Sequence, residues 1–205
     1  MPKPRPKPGT REVQWRLLIV CEGAKDKSES AYFKALIKDR RNPDNRIQVM
    51  VVDTKKNTAR ELVREAKKLK ETERDHVWAV FDKDGYTLHP QAFDQARANG
   101  INIAFSSISF EYWILLHFGY TTRAFLTCDN LVSFIESEYG YHYDKTDCLT
   151  YENTKSRIPE AKTRALRCRN YQLQGNPAGT PVFQMNPYTN VDELVTAVEE
   201  FAINE

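Results

Sequence analysis

Leu17-Leu18-Ile19-Val20-Cys21-Glu22-Gly23 is an apolar run closed by an acid and a glycine. It is too short for a helix and reads as a strand buried on both faces, which delivers Glu22 to the end of a sheet. A second run, Val77-Trp78-Ala79-Val80-Phe81, closes the same way with Asp82-Lys83-Asp84-Gly85. Two strands that end in acids frame the expected fold and point to a metal site.

Working outward, Ser28 begins a helical pattern with Tyr32, Phe33, Leu36 and Ile37 on one face. Ile47 to Asp53 reads as a second buried strand, and Thr58 with Glu61 forms a capping box before the stripe Ala59, Leu62, Val63, Ala66 and Leu69. A helix around Gln91 to Ala98, with Phe93 and Ala96 inward, ends at Asn99-Gly100, and Ile101 to Phe105 makes a fourth strand. This alternation predicts a parallel sheet covered by helices. Right-handed crossovers then set the acidic strand ends on one edge.

The second half has a different character. Phe110-Glu111-Tyr112-Trp113-Ile114-Leu115-Leu116-His117-Phe118 is apolar nearly all round, and its leucines favour helix over strand. Asp129 or Asn130 is expected to cap a helix through Phe134 and Tyr139, and Glu152 to Arg169 reads as a basic helix. Gly175, Pro177, Gly179 and Pro181 mark a loop before a last helix from Val191 to about Ile203. The expected fold class is α/β, a parallel sheet flanked by helices with a helical C-terminal elaboration. Residues 1–10 read as a basic, proline-rich, disordered tail and 11–205 as one domain.

With 40% hydrophobic and 28% charged residues, the composition suits a soluble globular protein and excludes a fibrous or disordered one. No apolar run approaches the roughly 18 residues of a membrane span, and the N-terminus lacks an apolar signal core, so a cytoplasmic location is expected. Cys21, Cys128, Cys148 and Cys168 contain no C-x-x-C pair, which argues for reduced, structural thiols. Lys3, Arg5 and Lys7 outweigh the whole net charge of +2, so the remaining chain is not basic overall.

Ligands of an open parallel sheet bind beyond the carboxyl ends of its strands. Glu22, Asp82 and Asp84 meet there if the first and third strands are neighbours. Three such carboxylates repel unless a cation lies between them. Magnesium, with manganese as a substitute, answers that need and suits phosphate chemistry. The alternative is structural, since Asp and Gly are ordinary turn formers. Glu111 has two readings, a first-turn acid complementing the helix dipole or a fourth carboxylate of the crevice. His117 reads as a hydrogen-bonded core histidine rather than a general acid. Lys25 and Lys83 beside the acids, and Arg157, Arg164 and Arg167 on the basic helix, are candidate phosphate contacts, with a solvated helix face as the alternative.

The Glu-Gly after the first strand and the Asp-x-Asp after a later one resemble the Toprim fold of topoisomerases, primases and related nucleases. Together with Phe110 to Phe118 and Asn186-Pro187-Tyr188-Thr189-Asn190-Val191, they resemble more closely the RloB family of bacterial restriction and phage-defence loci. The chain departs from that pattern at Ser107-Ile108-Ser109, where an Asn-Pro pair is usual. The resemblance implies a magnesium-dependent nuclease with Glu22 as general acid or base, also touching metal, and Asp82 and Asp84 as metal ligands. It also draws in Glu111, His117 and the Asn186-Pro187-Tyr188-Thr189 turn. Nucleic acid, DNA or RNA with transfer RNA included, is the expected partner, beside a partner protein of the defence system. The competing hypothesis is a non-catalytic nucleic-acid-binding or partner-recognition subunit of a defence complex.

Overall fold

The 17–22 run lies inside a strand, β1 (Arg16–Glu22), that is flanked by strands on both sides. On one side β2 (Ile47–Val52) runs parallel, with Leu17 opposite Ile47 and Glu22 opposite Val52. On the other β3 (Asp75–Asp82) runs parallel, with Leu17 opposite His76 and Cys21 opposite Val80. β4 (Asn102–Ser107) extends the sheet parallel to β3 and sets Ser106 opposite Asp82. The short β5 (Tyr188–Thr189) closes the edge antiparallel to β4, giving the order β2-β1-β3-β4-β5. The computed structural model describes residues 15–22, 28–40, 47–52, 58–83, 87–144 and 149–203, and of Glu22, Val49, Val51, Val52 and Ile203 the backbone alone. The expected basic tail lies outside the described residues.

The class is α/β, consistent with the Toprim-like arrangement expected. Alternate residues of β1 feed two cores, which is why its sequence is a continuous apolar run rather than an alternating one. Leu17, Ile19 and Cys21 join one layer with α1 (Ser28–Asp39), and Leu18 and Val20 join the other with α2 (Ala59–Leu69) and α3 (His89–Asn99). Thr58 caps α2 as expected, its hydroxyl accepting the Glu61 amide at 3.2 Å. The Glu61 carboxylate accepts instead from Arg64 at 3.3 Å. Gly100 ends α3 at φ 60°, the left-handed region that an added Cβ disfavours.

The second half thickens the first layer. α4 (Glu111–Phe118) is buried from Glu111 through His117, so the apolar run is a core helix. α5 (Cys128–Tyr139), α6 (Thr150–Thr154), α7 (Ile158–Gly175) and α8 (Val191–Ile203) follow. Two expectations need correction. Thr127, not Asp129 or Asn130, caps α5, because its extended backbone lets the hydroxyl accept the Asn130 amide at 3.2 Å. The basic stretch is not one helix either: α6 passes through a 3-10 turn, Lys155–Arg157, before α7. Pro159 explains the break, since it lacks an N–H and its ring would clash with a carbonyl one turn earlier.

At the amino-terminal end of the sheet Asp75, whose side chain is fully buried, accepts from Arg16 Nε at 2.7 Å and Nη2 at 2.8 Å. It also accepts the Glu71 and Thr72 amides, both at 2.8 Å. The Arg16 hydrogen bond, aided by the backbone amides against the cost of burial, holds the carboxyl at about 2. Its contribution is therefore complete above the unfolded value near 4 and is lost as pH falls toward 2. Asp75→Ala should lower unfolding stability by about 3 kcal/mol at pH 7, measured by urea denaturation, and should remove the loss between pH 4 and 2.

Candidate functional site

The sheet changes direction between β1 and β3. From β1 the chain passes through α1 to β2 on one side, and from β3 through α3 to β4 on the other. The crevice beyond the carboxyl ends of β1 and β3 is the topological switch point. Glu22 is the last residue of β1 and Asp82 the last of β3. Asp82 is half-buried, and its backbone is fixed by the Lys83 amide donating to the Ser106 carbonyl at 2.9 Å. Asp84 and Lys25 lie outside the described residues, and the Glu22 side chain does too. Among the described residues no three His, Cys, Asp or Glu side chains gather as a metal site. Of the expected trio that statement reaches the Asp82 side chain alone.

The rim of this edge is tied by the Ala59 amide, which donates to the Thr87 carbonyl at 3.2 Å. Leu88 then adopts φ 60°, an unusual left-handed conformation for a bulky residue. Next comes His89, with Nε2 at 3.3 Å from the Asp82 carbonyl. Its ring packs against Phe81 and Phe105 and stacks on Phe183. Burial pulls its pKa below the usual range, so it is neutral at pH 7. Sequence reasoning passed over His89; the signal was His89-Pro90 opening a helix just after an acidic turn.

On the other side of the sheet, Glu111 opens α4 just after β4 and is 3% exposed. It holds the helix-dipole position, and its Oε1 accepts from the Tyr143 hydroxyl at 3.1 Å. Burial, then the Glu111 charge, pushes the Tyr143 phenol up. Tyr143, absent from the sequence-based set, lies beyond α5 with no local pattern to mark it. The Ser107 and Ser109 hydroxyls in the connection from β4 to Glu111 are buried without a hydrogen-bond partner among the described residues.

The three arginines share one side, facing residues 116–120. Arg164 donates to the Leu116 carbonyl at 2.7 Å, Arg157 lies over the Phe118 ring at 4.9 Å, and Arg167 over Tyr120 at 4.1 Å. Arg157 and Arg167 remain exposed, and Arg164 is half-buried. Lys83 is half-buried beside Asp82.

The Asn186 to Val191 motif joins the two halves. Asn186 donates to the Phe125 carbonyl at 2.7 Å, and the Thr189 and Ser106 hydroxyls meet at 2.9 Å. Asn190 accepts the Phe105 amide at 2.7 Å and donates to the Ile103 carbonyl at 2.9 Å. The motif thereby satisfies the β4 edge, as an edge strand requires.

Acids at two adjacent strand ends and this docking turn recur in order along one chain. A family model described as RloB-like protein matches residues 17–198. The chain belongs to the RloB-like family. No curated protein and no solved structure matches it. The match spans β1 to α8, so the helical second half belongs to the RloB-like unit as much as the sheet does.

His117, within that matched region, is a core residue. Its Nδ1 donates to the Trp113 carbonyl at 2.9 Å, and Nε2 faces the Tyr32 hydroxyl at 3.5 Å. Burial pulls its pKa down to about 4 from an ordinary 6.5. The unfolded chain binds a proton there that the folded chain refuses. Folding stability should fall by about 3 kcal/mol as pH drops through that interval. In pH-dependent denaturation, His117→Gln should flatten this slope; an unchanged slope would place the acid sensitivity elsewhere.

Proposed function

We propose that this RloB-like chain is a magnesium-dependent phosphodiester hydrolase acting on nucleic acid in bacterial anti-phage defence. The observation that carries the reading is the parallel pairing of β1 with β3, two strands that end in Glu22 and Asp82 at the switch point of the sheet. Family membership supports it. The donors the two strand ends bring are carboxylates, the oxygen ligands that a hard divalent ion takes.

Asp82 and Asp84 would hold magnesium, with manganese as a substitute, and Glu22 would share in it. When bound, the ion neutralises charge on the phosphate and polarises it. Glu22 moves a proton at the attacking water or the leaving oxygen. Glu111 is the further acid of this edge, oriented by the Tyr143 hydroxyl. Neutral His89 steadies the Asp82 backbone. Lys25, Lys83, Arg157, Arg164 and Arg167 contact phosphates and position the backbone without reading sequence.

The test uses the purified chain on DNA and on RNA, transfer RNA included, with magnesium or with chelator, beside Glu22→Gln and Asp82→Asn. Each substitution should lower turnover by about 100-fold or more, and chelation should abolish it. Turnover equal in all these conditions would sink the catalytic reading. Binding that persists in chelator and in Asp82→Asn, without turnover, would favour a non-catalytic recognition subunit.

A further inference from the structure

On the α3 face of the sheet, a cleft of about 670 Å³ opens between α3 and the 179–184 segment. Its walls are aromatic. Phe105 is buried, while Phe93 and Phe183 are half-buried with ring centroids 5.5 Å apart. Tyr188 lies beside Phe105 at 6.2 Å. Tyr188 lines the cleft, and its hydroxyl makes no hydrogen bond among the described residues. Two charged residues of α3 stand at the rim, Asp94 and Arg97, and neither has an ion-pair partner among the described residues. His89 links the cleft to the candidate hydrolytic edge, stacking on Phe183 at 6.2 Å while its Nε2 meets the Asp82 carbonyl.

We propose that this cleft is a nucleobase pocket, in which Phe93 and Phe183 receive the face of a base, Tyr188 bonds its edge, and Arg97 meets its phosphate. The chemistry narrows the ligand. Aromatic walls favour a flat π-system. A hydroxyl on the cleft wall without a protein partner suits a ligand with a hydrogen-bonding edge. Burial raises the Tyr188 phenol to about 12, so it stays protonated and able to donate. The rim cation adds an anionic group to the ligand, and Asp94 offers an acceptor to a base amino group. An apolar peptide or lipid would satisfy the walls but neither the hydroxyl nor the arginine.

As a substrate subsite the pocket rests on the hydrolase reading: a base held here lies one aromatic layer from Asp82. Base stacking is sequence-tolerant, so the pocket would anchor a strand more than select its sequence.

The experiment is calorimetric titration of the whole chain, in chelator, with adenosine 5′-monophosphate, uridine 5′-monophosphate and a short single-stranded oligonucleotide. Binding should survive Asp82→Asn. It should weaken about tenfold in Phe183→Ala and about fivefold in Tyr188→Phe, with the thermal midpoint of Tyr188→Phe unchanged. Mononucleotide binding would identify a pocket for a free nucleotide. Oligonucleotide binding alone, with the same losses, would identify a strand-binding subsite. No binding of any probe, or binding indifferent to both substitutions, overturns the proposal. Because the titration contains no metal, its outcome is independent of turnover: nucleotide binding here, together with no magnesium-dependent hydrolysis in the turnover assay, would leave the pocket standing and remove the hydrolase reading.

Discussion

The pairing of β1 with β3 is the contact on which the remaining structure depends. β1 is buried on both faces and β3 fully on one, and their register sets Leu18 beside Val77 and Cys21 beside Val80. A slip of one residue would exchange the two faces of a strand and drive each side chain into the wrong core layer. The helices on each side leave no room for that exchange. The same register brings the acidic ends of the two strands to one edge, so the packing that stabilises the fold also creates the candidate site.

A second constraint acts at the far edge, where a sheet ending at β4 would expose unpaired backbone groups. Tyr188 and Thr189 pair with it, and Asn190 bonds the β4 backbone through both ends of its amide. Arg169 clamps this turn to α7 and α8 by donating to the Thr189 carbonyl at 2.9 Å and to both oxygens of the largely buried Asp192. A charge pair so enclosed is held by its hydrogen bonds as much as by attraction. This clamp also holds Tyr188 at the wall of the aromatic cleft, so the edge closure and the proposed pocket share one anchor.

Much of the fold was legible in the sequence. The 17–22 and 77–81 runs are strands because continuous apolar residues of that length suit a doubly covered parallel sheet. The 110–118 run is a core helix, Thr58 caps α2, and His117 is a hydrogen-bonded core residue. Other features stayed hidden for physical reasons. β5 has two residues, too few for any periodicity, and is held largely by side chains from its own flanks. Thr127 outcompeted Asp129 and Asn130 because capping depends on the capping residue's own extended backbone, which Thr127 has and the helical Asp129 and Asn130 do not. Pro159 split a stretch whose charges alone read as continuous.

The candidate site divides along the same line. Glu22 and Asp82 are placed at strand ends by local pattern, since an apolar run closed by an acid and a glycine encodes its own boundary. Tertiary structure decided that β1 and β3 are neighbours, that Tyr143 reaches Glu111 and that His89 meets Asp82. It also decided that rings from β4, α3 and the 179–184 segment converge on one cleft. Periodicity is a property of consecutive residues and is written in them. Strand order and ring convergence arise from contacts between residues far apart in the chain, which form only when both core layers close over the sheet.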